Sequence, residues 1–149
     1  MITLQDLIDR FGEKELKDVT DRVNRMDNKV IDMAVIERAI GDAEGEVEGY
    51  LNAVGLVSRN NRGRLIYLND QTPPKALTLK VCDIARYYLH ENGTTKIISE
   101  RYAQAIDWLK LVMKNPKMLT GVTDEDKDKD KTGSGVHVIP NPAPPNYYD

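Results

Sequence analysis

Four places in the chain combine residue types and spacings with chemical potential. Asp21 to Asp32 is a twelve-residue span rich in Asp and Asn, the length of a helix–loop–helix calcium site. Such a loop needs oxygen ligands at its third and fifth positions, glycine at its sixth and a bidentate glutamate at its twelfth. Those positions hold Val23, Arg25, Met26 and Asp32, so the span reads as a polar turn between helices. Cys82 and His90 form a second pair, because an imidazole beside a thiol can activate a thiolate. Eight residues along a helix is more than two turns, which keeps the two apart. Cys82 reads as a small apolar core residue and His90 as a cation near a helix C-terminus. The third place is Arg59-Asn60-Asn61-Arg62-Gly63-Arg64. Arg59, Arg62 and Arg64 are able to touch phosphate, or to form a solvated surface or a protein contact.

The fourth place is the C-terminal stretch. A charged run from Asp124 to Lys131 leads into Thr132-Gly133-Ser134-Gly135, then Val136-His137-Val138-Ile139, then Pro140-Asn141-Pro142-Ala143-Pro144-Pro145 and Tyr147-Tyr148-Asp149. The run neutralises much of its own charge and suits a solvated spacer. The β-branched residues Val136, Val138 and Ile139 on a flexible tether suit strand addition to a partner's sheet edge. Tyr147 and Tyr148 add aromatic anchors.

The body that must position these residues is helical. Thr3 caps a first helix that carries Leu4, Leu7, Ile8 and Phe11 on one side, and Gly12 ends it. Glu13 to Val19 forms a second short piece with Leu16 and Val19 inward. Asp32 caps a long helix over about Met33 to Ala53. Its seam is Met33, Ile36, Ile40, Ala43, Val47, Tyr50 and Val54, spaced alternately by three and four. Gly41, Gly45 and Gly49 sit four apart on that helix and point to close approach of another element, with a solvated face as the alternative. Leu65 to Leu68 forms a short strand, with Val54 to Val57 as its partner. Thr72-Pro73-Pro74 opens a helix over about Pro74 to Asn92, with Leu77, Val81, Ile84, Ala85 and Tyr88 inward. A last helix over about Lys96 to Asn115 turns Ile98, Tyr102, Ala105, Ile106, Leu109, Val112 and Met113 inward, and Pro116 ends it. The expected fold is mainly α: a bundle of about four main helices, a small β-hairpin or irregular loop, and an extended C-terminal arm. The expected division is 1–118 for the body and 119–149 for the linker and arm.

Composition narrows the function. The chain has 149 residues and a net charge of −3. The run 124–131 and Asp149 account for all of it, so residues 1–123 sum to zero. A neutral body lacks the basic excess of a dedicated nucleic-acid binder. One cysteine excludes an internal disulfide and a multi-cysteine zinc site. No apolar run is long enough to span a membrane, and none resembles a signal peptide. No acid–base pair emerges, so no catalytic residue, cofactor or metal is expected.

Several stretches carry a resemblance. They are Leu4-Gln5-Asp6-Leu7-Ile8-Asp9-Arg10-Phe11-Gly12 with Glu15-Leu16 and Thr20-Asp21-Arg22; Val35-Ile36-Glu37-Arg38-Ala39-Ile40-Gly41-Asp42-Ala43 leading to Glu48-Gly49-Tyr50-Leu51; and Val81-Cys82-Asp83-Ile84-Ala85-Arg86-Tyr87-Tyr88-Leu89, followed by Glu100-Arg101-Tyr102 and Ala105-Ile106-Asp107-Trp108-Leu109. In this order, over roughly residues 1–116, they resemble the small virion proteins of Mu-like phages and prophages, related to the head–tail connector (adaptor) family of tailed phages. The resemblance implies a helical adaptor assembled as a ring of twelve copies beneath the portal protein. The ring extends the DNA channel without binding DNA specifically and presents a surface to the next connector or tail-terminator protein. It also implies residence in the virion neck, assembly in the host cytoplasm and no membrane contact. Family members often carry a proline- and leucine-rich middle loop, where this chain has the polar stretch Arg59 to Leu68. Charged helix faces are the expected subunit contacts: Glu37, Arg38, Asp42, Glu44, Glu46 and Glu48 on one, and Lys80, Arg86 and Lys96 on or near another. The alternative reading is a small helical nucleic-acid-binding or regulatory protein, with Arg59, Arg62 and Arg64 on phosphate.

Overall fold

The computed structural model describes residues 1–24, 26–69 and 72–120. A compact unit covers Met1–Pro116. Its elements in order are α1 (Leu4–Phe11), α2 (Glu13–Thr20), a single 3-10 turn (Met26–Asn28), α3 (Met33–Leu51), β1 (Val57–Arg59), β2 (Leu65–Tyr67), α4 (Lys75–Leu89) and α5 (Lys96–Lys114). A four-residue helix α6 (Lys117–Thr120) belongs to a second unit that begins at Lys117. The fold is thus mainly α with one small antiparallel hairpin.

Local chemistry sets the helix starts. Thr3 Oγ1 accepts from the Asp6 amide, while Asp6 Oδ2 accepts from the Thr3 amide at 2.8 Å. This reciprocal box satisfies two donors that a helix N-terminus otherwise leaves free. Asp32 accepts from the Ala34 and Val35 amides at the start of α3, and Thr95 caps α5 through the Ile98 amide. Gly12 closes α1 and opens α2 with φ +91°, a backbone that a side chain at this position would strain. Pro74 precedes α4, where its missing N–H leaves no bond unmade.

The core lies where α3, α4 and α5 pack on one another, with α1 laid on α4. Ile36, Ile40, Ala43, Val47 and Leu51 of α3 face Leu77, Val81, Ile84, Ala85 and Leu89 of α4 and Ile98, Ala105, Leu109 and Val112 of α5; all are buried. Each fully buried Leu or Ile contributes about 1.5–3 kcal/mol of transfer free energy. Ile2, Leu7 and Leu16 extend this core under the N-terminal helices.

Three expectations change. The α3 seam holds at its centre, but Met33 is exposed and Leu51 takes the inward place expected of Tyr50 and Val54. Met113 is likewise exposed at the end of α5. Strand β1 runs Val57–Arg59 rather than Val54–Val57, because Asn52 to Gly55 forms a tight turn after α3 that is closed by the Gly55 amide on the Asn52 carbonyl. Gly41, Gly45 and Gly49 are not wedged against another described element. Among the described residues, no atom lies within 4 Å of the place where a Cβ would sit on any of them. Each costs about 1 kcal/mol relative to alanine in a helix interior, with no packing among the described residues to offset it.

Candidate functional site

The arginine loop is the candidate binding element that falls within the described residues, and the hairpin defines its shape. Val57 pairs with Tyr67, Ser58 with Ile66 and Arg59 with Leu65. Asn60 ties the turn together. Its amide donates to the Arg64 carbonyl at 2.9 Å, and its Oδ1 accepts from the Arg62 and Arg64 amides at 2.9 Å each. Gly63 adopts φ +75° to close the turn. Asn is suited to this work because its short amide can bond its own backbone two residues on.

The hairpin is clamped to α3 by charge. Glu44 is 1% exposed and lies on the apolar side of α3, between Ala43 and Val47. Its carboxylate accepts from Arg64 Nη2 at 3.0 Å, from the Leu65 amide at 3.2 Å and from the amino group of Met1. Burial pushes the Glu44 carboxyl up, but hydrogen bonds from Arg64, the Met1 amino group and the Leu65 amide outweigh burial and hold it below the ordinary carboxylate value. The same bond holds the Arg64 guanidinium above its usual value. Arg64 also donates to the Ile2 carbonyl at 3.0 Å. Arg59 donates to Glu48 Oε1 at 2.7 and 2.9 Å and to the Gly63 carbonyl at 2.9 Å.

Two of the three loop arginines are therefore engaged inside the chain. Arg62 is exposed, and its guanidinium has no ion pair among the described residues. Val136, Val138, Ile139, Tyr147 and Tyr148 lie outside the described residues.

Other polar groups flagged in the sequence are also tied into the fold. Asp21 accepts from the Val23, Asn24 and Val30 amides and from the Asn24 side chain, at 2.9–3.0 Å. Those bonds hold its carboxyl far below the ordinary value and organise the 21–32 turn around one side chain. Cys82 is buried, and burial pushes its thiol up to about 12, so it stays protonated at neutral pH. His90 instead lies 3.2 Å from Glu15 Oε2. Arg86 donates to both Glu15 oxygens at 2.8 Å and stacks over Phe11 at 4.5 Å. Arg10 Nε and Nη2, one edge of its guanidinium, donate to the two oxygens of buried Asp83 at 3.0–3.1 Å. Glu44 and Arg86 thus leave the set of free surface charges and become internal ties.

One cluster escaped sequence reasoning. Tyr88 and Tyr102 both donate to Glu46, at 2.9 and 2.8 Å, and Tyr87 stacks on Tyr102 with centroids 3.9 Å apart. Burial, with Glu46 adding to it, pushes the Tyr88 hydroxyl up to about 12. Tyr88 and Tyr102, expected on the inward faces of α4 and α5, are half-buried instead, as is Tyr87, at the flanks of the seams where a phenol can keep its ring inside and its hydroxyl at the edge.

Among the described residues, no group of three or more His, Cys, Asp or Glu is placed to hold a metal ion. No helix of those residues is long and apolar enough to cross a membrane.

The family described as Bacteriophage Mu, Gp36 matches residues 2–138. The chain is also similar to gene product J of Escherichia phage Mu, with 31% identity over 110 residues, 74% of this chain and 69% of that protein. The match runs through the helical unit and through the charged run after it to the Val136–Val138 stretch, and on this extent the chain belongs to the Bacteriophage Mu Gp36 family.

Proposed function

We propose that this chain is a structural protein of a Mu-like phage particle, and specifically a head–tail connector (adaptor) subunit. Copies form a ring beneath the portal protein, extend the DNA channel and receive the next connector or tail-terminator protein. DNA passes through the ring without specific binding. The chain is no enzyme in this reading and takes no cofactor. It resides in the virion neck after assembly in the host cytoplasm.

The observation that carries the reading is the family match joined to the way the polar groups are used. Asp21, Glu15, Glu44 and Asp83 each hold a loop or a second element in place. This is the economy of a rigid building block, whose ionisable groups set shape. The 59–64 loop, rigid and held to α3, suits a contact with a neighbouring connector protein through Arg62. The alternative of a nucleic-acid-binding regulator draws less support, since Arg59 and Arg64 already face carboxylates.

The test is mass spectrometry of purified particles under native conditions. The expected result is this chain in multiple copies, in one complex with the portal protein. Particles that lack it, or hold a single copy, would sink the connector reading.

A further inference from the structure

One surface cluster has no task in the connector reading. Tyr87 and Tyr102 stack with centroids 3.9 Å apart, joining the C-terminal end of α4 to the early turns of α5. Tyr88 stands nearly perpendicular to both, at 78° and 81°, with centroids 5.9 and 6.3 Å away. The three rings thus form a corner rather than a flat pile. All three residues are half-buried, so each keeps part of its surface open to solvent. Glu46 fixes two of them by accepting from the Tyr88 and Tyr102 hydroxyls. The Tyr87 hydroxyl has no hydrogen-bond partner among the described residues. The chain also concentrates its prolines at one place beyond the described residues. Of its seven prolines, Pro140, Pro142, Pro144 and Pro145 fall within six positions. Pro142 and Pro145 are three residues apart, which suits a polyproline II helix. That helix has three residues per turn and rises about 3.1 Å per residue, so the two prolines share one side about 9 Å apart.

We propose that the Pro140–Pro145 segment of one copy of this chain docks on the Tyr87, Tyr88 and Tyr102 corner of a neighbouring copy. Aromatic-lined surfaces receive segments with two prolines three apart, because the proline helix is already extended and loses little entropy on binding. The corner is ordered in advance as well, since Glu46 holds two of its rings before any segment arrives. One proline seats between Tyr88 and the stacked pair, and the other lies along the stack. The Tyr87 hydroxyl donates to a backbone carbonyl, a group that a polyproline II segment leaves free at every residue. Chain length permits the reach. The described residues end at Thr120, and the stretch from there to Pro140 extends up to about 66 Å at about 3.3 Å per residue. A unit of 116 residues has a radius of gyration of about 13 Å, so the segment can pass well beyond the edge of one subunit. Segment and corner are different surfaces, so the contact is heterologous and runs from copy to copy around a ring. This deepens the ring reading above by naming one contact between copies, and it rests on that reading for the place of the neighbour. Val136, Val138 and Ile139 stay available to the next protein in the neck.

The experiment uses the full chain. Sedimentation velocity up to about 1 mM (a range that detects contacts worth only a few kcal/mol) is run on the wild type and on two variants. Pro142→Ala with Pro145→Ala removes the paired prolines and lies outside the helical unit. Tyr87→Leu removes the free hydroxyl and one ring of the stack, while both hydroxyl bonds to Glu46 stay in place. Circular dichroism checks that each variant is folded. The wild type is expected to self-associate, and each variant alone to lose association at least tenfold. An equimolar mixture of the two is expected to give dimers and nothing larger, since one intact segment meets one intact corner. Isotope-filtered NMR on mixed labelled and unlabelled wild type reads contacts between copies alone. It is expected to place proline ring protons against tyrosine rings. A monomeric wild type at the top concentration overturns the proposal, as do variants that associate like the wild type, a mixture that stays monomeric, or spectra without proline–tyrosine contacts between copies. The ring reading has its own arm. Particles that hold many copies, yet accept both variants normally, leave the ring standing and reject this contact.

Discussion

Glu44 ties the N-terminus and the hairpin to α3. It places a carboxylate on the core side of α3 and accepts hydrogen bonds there from two cations and one amide, with the Arg59 guanidinium 3.9 Å away. Removing one partner of a buried ion pair leaves the others desolvated without compensation. Glu44→Gln is therefore expected to lower the unfolding free energy by about 3 kcal/mol, at the low end for a buried pair because Arg64 is partly exposed. Arg62→Ala, one loop residue away, is expected to change stability by less than about 0.5 kcal/mol. Urea unfolding of both variants checks the contrast, and equal effects would refute the buried-tie account. Asp21 works by the same logic under pH. Its folded carboxyl lies below its unfolded value near 3.8, so its contribution is complete above that pH and disappears as pH falls further. Asp21→Asn is expected to melt lower at neutral pH, with the gap to the wild type closing below about pH 3.8. A gap that stays constant across acid pH would show that charge is not what Asp21 supplies.

At the scale of elements, the signals easiest to read were those that act through the nearest few residues. Thr3 and Asp32 cap the helices where their hydroxyl and carboxylate promised, and Gly12 breaks the chain with the left-handed backbone only glycine adopts freely. What escaped depends on partners distant in sequence. Glu44 sits on an apolar side because Arg64, twenty residues later, comes back to meet it. Met33 and Met113 are exposed at the ends of their seams, although Ile36 and Val112 close by are buried. The candidate site was legible as a tight arginine turn, but the engagement of Arg59 and Arg64 was not, for the same reason of distance. The glycines of α3 were read as a packing feature, and among the described residues nothing packs on them. Gly41, Gly45 and Gly49 have helical backbone and open space, so alanine fits each without strain. Gly→Ala at one of them is expected to raise stability by about 1 kcal/mol, and at all three by about 3 kcal/mol, if propensities add. Chemical denaturation measures this directly; a loss of stability in the isolated chain would mean that something inside the chain already fills the face.

For the whole molecule, the question is how a compact helical unit and the stretch that follows it divide the work of assembly. The core, the caps and the ionic ties described above for Met1–Pro116 use residues of that unit, so its folding should not need the last residues of the chain. Residues 117–149 span on the order of 100 Å if extended at about 3.3 Å per residue, enough to reach past an adjacent subunit. The family match ends at residue 138. It takes in the charged spacer and the first β-branched residues of the proposed docking segment, and leaves Pro140 to Asp149 beyond it. This gives a graded expectation. Deleting residues 132–149 should leave the melting temperature of the chain within about a degree, because no described core residue is lost, while head–tail joining fails in complemented particles. Deleting residues 140–149 alone should weaken joining less, because Val136, Val138 and Ile139 remain to add a strand to a partner's sheet edge. Electron microscopy of lysates, counting tailless heads against whole particles, reads the outcome. Normal joining after the longer deletion would remove the arm from the mechanism. Equal loss in both would move the docking element from the β-branched stretch to the prolines and tyrosines.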